Sequence, residues 1–194
     1  MATSSLTAKG SSTRSRILAE ARGLLVTGGY QRVVLRAVAE ACGIKLGNLQ
    51  YYFPTLDALL LAVIELEGQK DLETIRRAVD QQQDPVSALR AIAAELVTRW
   101  RSDSGGVYAT LNLLSLHHPD YRALYKRIYA DHYGALAQVI AAAAPGLPKT
   151  EYDQRARLMT ALIDGAAYQQ SAGRKAQFLS RVVETACALA LGDR

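Results

Sequence analysis

The sequence predicts an all-α protein of about nine helices, and three observations support this. Apolar residues recur at helical spacing in successive stretches along the chain. No segment alternates apolar and polar residues as a half-buried strand would. Hydrophobic residues make up 49% of the 194 residues, with 14 glycines and only 5 prolines. This balance is typical of folded helical chains and not of disordered or turn-rich β proteins.

Three short helices are predicted within an N-terminal domain of residues 13–60. The preceding residues 1–12 are rich in Ser, Thr and Gly and predict a flexible arm. Glycines terminate the first two helices, and Pro54 terminates the third because the residue before a proline is disfavoured in the helical region. The predicted helices cover residues 14–27, 34–42 and 45–53.

Six longer helices are predicted in a second domain that we assign to residues 61–194, the first of them beginning just before it. Asp57 is a plausible N-cap for the fourth helix, while Pro85 and Pro119 suit the first turns of the fifth and seventh. The seventh helix carries an unusual local density of tyrosines on one broad face. These helices are predicted over residues 57–79, 85–100, 107–115, 119–144, 150–171 and 175–191.

The net charge of +5 is concentrated at the N-terminus. Residues 1–60 contain seven basic and three acidic side chains, whereas the remaining 134 residues contain 16 basic and 15 acidic ones. A surplus of +4 in the first third of the chain suits contact with a polyanion such as DNA. Charge alone leaves a merely solvated basic face equally open.

Several function classes lack their sequence signatures. The chain has no phosphate loop, dinucleotide fingerprint, zinc-ligand spacing or nucleophile elbow, so we expect neither an enzyme nor a cofactor nor a metal site. The cluster from His117 to Asp120 lacks a completing ligand set, and a surface or capping role is expected for it. Two separated cysteines in apolar helical patterns and the absence of a signal peptide predict a cytoplasmic protein.

The segment Leu35–Phe53 has the parts of a helix-turn-helix in their usual order. Ala39 is small enough for a close helix crossing, and Gly43 can adopt the left-handed conformation of the turn. Ile44 and Leu49 are expected to fill the small core. The third helix would then expose Lys45, Gly47, Asn48, Gln50, Tyr51 and Tyr52.

Residues 14–60 resemble the N-terminal domain of the tetracycline-repressor (TetR) family. The resemblance rests on Gly-Gly-Tyr, Val-Ala-Glu-Ala-Cys-Gly-Ile and Gly-Asn-Leu-Gln-Tyr-Tyr-Phe-Pro-Thr, in that order along the chain. It implies a homodimeric, DNA-binding transcriptional regulator, a repressor released from a palindromic double-stranded operator by a small-molecule effector. The second domain would then bind this ligand and form the dimer.

The resemblance also implies individual roles in DNA binding. Arg36 would reach a phosphate or a guanine edge and Lys45 a phosphate, while Asn48 and Gln50 suit hydrogen bonds to bases. Tyr51 and Tyr52 would touch backbone and thymine methyls, unless they pack in the core as Phe53 is expected to do. The predicted DNA-contacting residues are Arg36, Lys45, Gly47, Asn48, Gln50, Tyr51, Tyr52 and Thr55.

The chain departs from the family pattern at three positions, where Val34 replaces Thr, Gln50 replaces Tyr and Leu56 replaces Lys. The first change removes the side-chain cap of the second helix, and the last removes a phosphate contact. Arg14 and Arg16 are candidates to compensate for that lost contact.

The second domain offers candidate dimer and ligand residues. By the resemblance, the last two helices would pair with those of a second copy through Leu158, Leu162, Phe178, Val182, Val183, Ala186 and Leu189. The candidate ligand contacts are Trp100, Tyr108, Asn112, Tyr129, Tyr133, Asp164 and Tyr168. Each of them alone is more commonly a core or surface residue, but together they predict a pocket for an effector of unknown identity.

A helical adaptor that binds only protein is the alternative function. The effect of salt on DNA affinity distinguishes the two functions. A DNA-binding regulator should lose affinity for DNA steeply as salt is added, whereas an adaptor should have no DNA affinity to lose.

Overall fold

The computed structural model describes residues 8–100, 104–169 and 176–192. Within these residues all regular structure is helical, as predicted, and includes nine α-helices and a short 3-10 helix, Tyr30–Arg32. The α-helices are α1 (Ala8–Gly28), α2 (Leu35–Ala41), α3 (Leu46–Tyr52), α4 (Leu56–Gln81), α5 (Pro85–Arg99), α6 (Gly105–Ser115), α7 (Pro119–Ala143), α8 (Lys149–Tyr168) and α9 (Ala176–Leu191).

The chain divides into two compact units, residues 1–66 and 67–194. The division follows Leu66, not residue 60 as the sequence predicted. Helix α4 contributes to both units, because its residues run through the boundary without a break.

The core of the first unit is built from α1, α2, α3 and the start of α4. Helix α1 begins at Ala8, so residues 8–12 are helical and do not belong to the predicted arm, whose residues 1–7 lie outside the described part. Gly29 follows α1 with a φ of 72°, and its amide donates to the Leu25 carbonyl. Side chains at most 5% exposed in this core include Ile17, Leu18, Ala21, Leu25, Val33, Val38, Ala39, Leu49, Phe53, Leu59 and Leu60.

Two helix starts in this unit differ in their capping. The Thr55 hydroxyl accepts a hydrogen bond from the Ala58 amide at 3.1 Å, so Thr55 caps α4 and the predicted cap, Asp57, lies in the first turn. Val34 precedes α2 without any side-chain cap, as expected from the missing Thr. The sequence did not predict the 3-10 helix between α1 and α2.

The second unit packs α7 against α5, α6 and α8, and α9 against α5 and α8. Asp84 accepts a hydrogen bond from the Ser87 amide at 2.9 Å, and Pro85 occupies the first turn of α5 as predicted. Pro119 likewise opens α7. Helix α6 begins at Gly105, slightly earlier than the predicted residue 107. No single helix in the described part of the chain is long and apolar enough to cross a membrane.

Two fully buried carboxylates, Glu67 and Asp71, lie on α4 inside this unit. Arg99 binds both, through Nε to Asp71 Oδ1 at 2.8 Å and through its terminal nitrogen to Glu67 Oε1 at 3.1 Å. Trp100 Nε1 and the Tyr108 hydroxyl donate to Asp71 Oδ2 at 3.0 and 2.8 Å. These donors offset the desolvation of the carboxylates, which would otherwise destabilise the core.

Replacing Arg99 should therefore destabilise the second unit strongly. We expect Arg99→Met to lower the free energy of unfolding by about 3–5 kcal/mol, because it removes the cation that the two buried carboxylates share and leaves only the half-exposed Lys70, 3.5 Å from Glu67. Urea denaturation followed by circular dichroism measures this change. Arg76→Met is the matched control, since Arg76 pairs with Glu73 where the two side chains are 70% and 68% exposed, and about 0.5 kcal/mol or less is expected there. Equal effects of the two changes would contradict the role of Arg99.

Candidate nucleic-acid interface and ligand site

The turn between α2 and α3 is fixed by backbone hydrogen bonds around Gly43. This glycine has a φ of 63°, a left-handed conformation that favours glycine. The Gly43 amide donates to the Glu40 carbonyl at 2.9 Å and the Ile44 amide to the Ala39 carbonyl at 3.0 Å. This pair of bonds is the Schellman arrangement that terminates a helix, and it sets the direction in which α3 departs.

The inner face of α3 packs into the first unit. Leu49 is fully buried and Phe53 is 3% exposed, as expected for core residues. Ile44, predicted to lie in the core, is half-buried. The Arg14 guanidinium lies 5.1 Å from the centre of the Phe53 ring, so Arg14 packs on the core beneath α3, whereas Arg16 is exposed.

The outer face of α3 carries the predicted base-reading residues. Tyr51 is 72% exposed, which excludes a core role for it, and Tyr52 is half-buried against the edge of the Tyr51 ring, with a 5.2 Å separation of ring centres. No atom lies within 4 Å of a Cβ built on Gly47, so packing within this chain does not require the glycine. The other predicted DNA-contacting residues are all exposed: Arg36, Lys45, Asn48, Gln50 and Thr55.

In the second unit, Trp100 and Tyr108 belong to the core. Their rings stack with centres 4.6 Å apart, they are 2% and 1% exposed, and their polar atoms bind Asp71. These two predicted ligand residues are therefore core residues that bind Asp71, a residue that the sequence analysis did not single out. The sequence does contain a signal for Asp71. This acidic residue lies seven positions, about two helical turns, after the buried Ile64, where an apolar core residue would be expected on α4.

Three tyrosines of α7, one turn apart, share one face as predicted. The ring centres of Tyr125 and Tyr129 are 4.4 Å apart, and those of Tyr129 and Tyr133 are 5.7 Å apart. The Tyr129 hydroxyl donates to Asp164 Oδ2 at 2.8 Å. Burial and the neighbouring Asp164 raise the pKa of Tyr129, which keeps this phenol neutral.

Asp164 is the least satisfied polar group in the described part of the chain. Its Oδ1 is buried and accepts no hydrogen bond from any described residue. Burial raises the pKa of this carboxyl to about 8; the Tyr129 hydrogen bond opposes the rise and the Asp71 charge adds to it. Asp164 also lines a cavity of about 10 Å³, with Asp71, Trp100 and His132, which has room for about one water molecule.

The remaining predicted ligand residues lie nearer the surface. Asn112 is exposed and Tyr168 is 43% exposed, and the Asn112 amide donates to the Tyr168 hydroxyl at 3.5 Å. The structure thus connects Tyr129, Tyr133 and Asp164 in one cluster, with Tyr168 one turn further along α8 from Asp164.

A wider cleft was not predicted from the sequence. It has a volume of about 1040 Å³ and is open to solvent between the second half of α4, the start of α5 and one side of α7. Its walls include Asp80, Asp84 and Asp131 beside small residues such as Gly134. Small and acidic residues at exposed helical positions give no distinct sequence signal.

The exposed cluster at His117 and His118 contains no metal-binding geometry. Among the described residues no three His, Cys, Asp or Glu side chains converge as metal ligands would. His118 packs its ring against Tyr121 at the start of α7, with ring centres 5.9 Å apart.

The predicted dimer residues of α8 and α9 fall into three sets by their exposure. Val182 is 4% exposed and Ala186 is fully buried inside this chain, so neither faces outwards. Leu162 and Val183 are half-buried. The large apolar side chains that face solvent are Leu158, Phe178 and Leu189, at 54%, 41% and 39% exposure.

Comparison with known proteins gives matches to both halves of the chain. Residues 17–63 match the family described as bacterial regulatory proteins, tetR family, and residues 85–191 match the C-terminal domain of BetI-type transcriptional repressors. The transcriptional regulator UidR of Escherichia coli K12 is 29% identical over 68 residues, which are 35% of each chain. The repressor KstR of Mycolicibacterium smegmatis is 37% identical over 67 residues, 34% of this chain and 33% of that protein. The matched region thus spans about a third of these curated relatives.

Solved structures share the fold over nearly the whole chain. A TetR regulator from Haloarcula marismortui has a TM-score of 0.79 at 18% identity, covering 93% of this chain and 97% of the other. A transcriptional regulator from Rhodococcus sp. Rha1 has a TM-score of 0.74 at 22% identity, with 92% and 94% covered. A regulator from Saccharomonospora viridis, solved in complex with choline, has a TM-score of 0.73 at 22% identity, with 91% and 94% covered.

The Asp164 carboxyl should make stability depend on pH. Its folded pKa of about 8 exceeds the ordinary value of 3.8, so the folded state retains a proton that the unfolded state releases between these values. The free energy of unfolding contributed by this group should therefore fall as pH rises through that window, by up to about 1.4 kcal/mol per pH unit.

Asp164→Asn should remove this dependence, because an amide has no proton to release. Urea denaturation at pH 5 and pH 8 should show the variant gaining stability over the wild type as pH rises. Asp153→Asn, on the same helix, is the control and should keep the wild-type profile. Parallel pH profiles for Asp164→Asn and the wild type would show that this carboxyl is not protonated in the folded protein.

Proposed function

Because this chain belongs to the tetracycline-repressor family of bacterial transcriptional regulators, we propose that its first unit binds a palindromic double-stranded DNA operator as part of a homodimer. We assign the protein to the cytosol, where that DNA lies. Its second unit forms the dimer through α8 and α9 and binds a small-molecule effector.

The observation that carries the DNA-binding proposal is the outer face of α3. Asn48, Gln50 and Tyr51 are exposed there on a helix whose other face is locked into the core. Exposed amides suit bidentate hydrogen bonds to adenine, and the open backbone at Gly47 suits close approach to a groove. Four further residues would contact the DNA phosphates. Arg36 and Lys45 lie beside this face, and Tyr52 and Thr55 lie at its end.

The dimer proposal rests on the exposed apolar residues of α8 and α9. Leu158, Phe178 and Leu189 each leave a large part of an apolar side chain exposed to solvent, and a second copy of the same helices would cover this surface. An isologous pairing relates two recognition helices by a two-fold axis, which matches the symmetry of a palindromic operator.

The effector site that we propose is the cluster around Asp164. Tyr129, Tyr133 and Asp164 form its wall, Asn112 and Tyr168 its outer edge, and Trp100 and Tyr108 support it from the core. For release from DNA, the effector must bind more tightly to the state with low operator affinity than to the state that holds the operator. We propose repression by occupancy, in which the ligand-free dimer holds its operator.

Electrophoretic mobility shift with the DNA upstream of the protein's own gene tests the recognition face. We expect Asn48→Ala combined with Gln50→Ala to weaken operator binding at least about tenfold, because each bidentate base contact contributes about 1–3 kcal/mol. Lys45→Ala should weaken binding to all sequences and reduce the salt dependence by about one phosphate contact.

Gln138→Ala combined with Gln154→Ala is the matched control, since both of these exposed amides lie in the second unit and should leave DNA affinity unchanged. A folded protein that shifts no DNA at low salt would overturn the proposal and favour the adaptor function. A double variant at Asn48 and Gln50 with wild-type affinity would overturn the assignment of the recognition face.

A further inference from the structure

We propose that the effector is a protonated primary or secondary amine whose N–H donates a hydrogen bond to Asp164 Oδ1 and whose substituents lie among Tyr125, Tyr129 and Tyr133. The inference rests on the proposed function, since it assigns a chemical class to the ligand of the second unit. Hydrogen bonding, charge and ring chemistry support it independently.

The hydrogen-bonding argument concerns the two oxygens of one carboxyl group. Oδ2 accepts the Tyr129 hydroxyl, whereas Oδ1 is buried and receives no donor from the described residues. Buried polar atoms in folded proteins are nearly always paired, and an unpaired one costs about 1–3 kcal/mol. A group that pairs with Oδ1, whether a water molecule in the small cavity lined by Asp164 or an atom of a ligand, therefore supplies a donor. Ligands that offer only acceptors, such as ethers, esters or carboxylates, leave Oδ1 unsatisfied.

The charge argument concerns the side chains around Asp164. On α4, the nearby Asp71 carries a negative charge that raises the pKa of Asp164, and Asp71 already shares Arg99 with Glu67. On α7, burial lowers the pKa of His132, which favours its neutral form. Raised pKa values keep the surrounding phenols neutral on α6, α7 and α8: Tyr108, Tyr125, Tyr129, Tyr133 and Tyr168.

Apart from Arg99, which is paired with Asp71 and Glu67, and the exposed Arg157 over Tyr133, an ammonium group would therefore enter surroundings that are neutral or negative. Its positive charge stabilises the ionised form of Asp164, which burial alone disfavours. A neutral donor such as an alcohol would satisfy the hydrogen bond but would not compensate the charge, so it should bind more weakly.

The tyrosine faces already hold one cation. The guanidinium of Arg157, on α8, lies 4.4 Å from the centre of the Tyr133 ring. A cation over a tyrosine face is attracted by the negative potential of the ring. Tyr125 and Tyr133 are half-buried and Arg157 is exposed, so this part of the tyrosine cluster lies at the surface. An ammonium beside them would compete with a flexible surface side chain and with no core residue.

Fluorescence of the full-length protein tests the proposal, because Trp100 is the only tryptophan in the sequence and lines the same small cavity as Asp164. The probes are 2-phenylethylammonium, the neutral 2-phenylethanol and 2-phenylethyltrimethylammonium, which is cationic but has no N–H. Calorimetric titration gives the affinities independently of fluorescence. We expect the primary amine to bind at least about tenfold more tightly than either analogue.

Two substitutions locate the site. Asp164→Asn keeps the shape of the side chain and should abolish the preference for the amine over the alcohol, while Asp153→Asn on the same helix should leave it intact. Arg157→Gln should raise the affinity for the amine several-fold, because it removes a competing cation; a fall would contradict the placement beside Tyr133.

Equal binding of alcohol and amine would overturn the charge assignment, and equal binding of the quaternary analogue would overturn the hydrogen bond to Oδ1. Absence of amine binding, or an unchanged preference in Asp164→Asn, would overturn the proposal as a whole. The mobility-shift assay without any probe remains the separate test of the proposed function, so the failure of either can be recognised alone.

Discussion

The second unit depends on the burial of two carboxylates, because ionised groups inside a protein require donors at fixed positions. The two carboxylates, Glu67 and Asp71, lie on α4. Their donors include Arg99 on α5, which binds both, and Tyr108 on α6, which binds Asp71. Apolar contacts tolerate small shifts, whereas hydrogen bonds to a buried carboxylate are directional. The register of these three helices therefore follows from the pairing. Tyr108, held by Asp71, packs its ring 6.4 Å from that of Tyr129, which in turn binds Asp164.

In the first unit the constraint is different. The short helix α3 has to be held in place while most of the surface of this helix stays exposed to solvent. α3 has only seven residues and is too short to be stable alone. Leu49 and Phe53 anchor it to the core, and the backbone bonds around Gly43 determine where it begins. Its polar side chains are consequently not needed for folding.

Local signals in the sequence predicted the helices well, because glycine at a positive φ and proline in a first turn act on their immediate neighbours. Gly43, Pro85 and Pro119 all behave as expected. Prediction failed where the partner is distant: Arg99 and Tyr108 lie 28 and 37 residues from Asp71, and nothing local pairs them. Tyr108 was consequently predicted as a ligand contact, and its hydrogen bond to Asp71 was not predicted. The cap of α4 was predicted at Asp57, two residues after the actual cap Thr55, since Asp and Thr are both N-cap residues and Asp is the stronger of the two.

The exposed apolar side chains of α8 and α9 have a consequence for the amount of protein in a cell. In the proposed dimer a second copy covers the exposed parts of Leu158, Phe178 and Leu189, so by mass action the folded population would rise with total concentration. Dilute newly made chains would be the most vulnerable to proteolysis and aggregation. An increase in synthesis would then raise both the number of chains and the fraction of them that is folded, so the amount of folded protein would grow more than in proportion to synthesis.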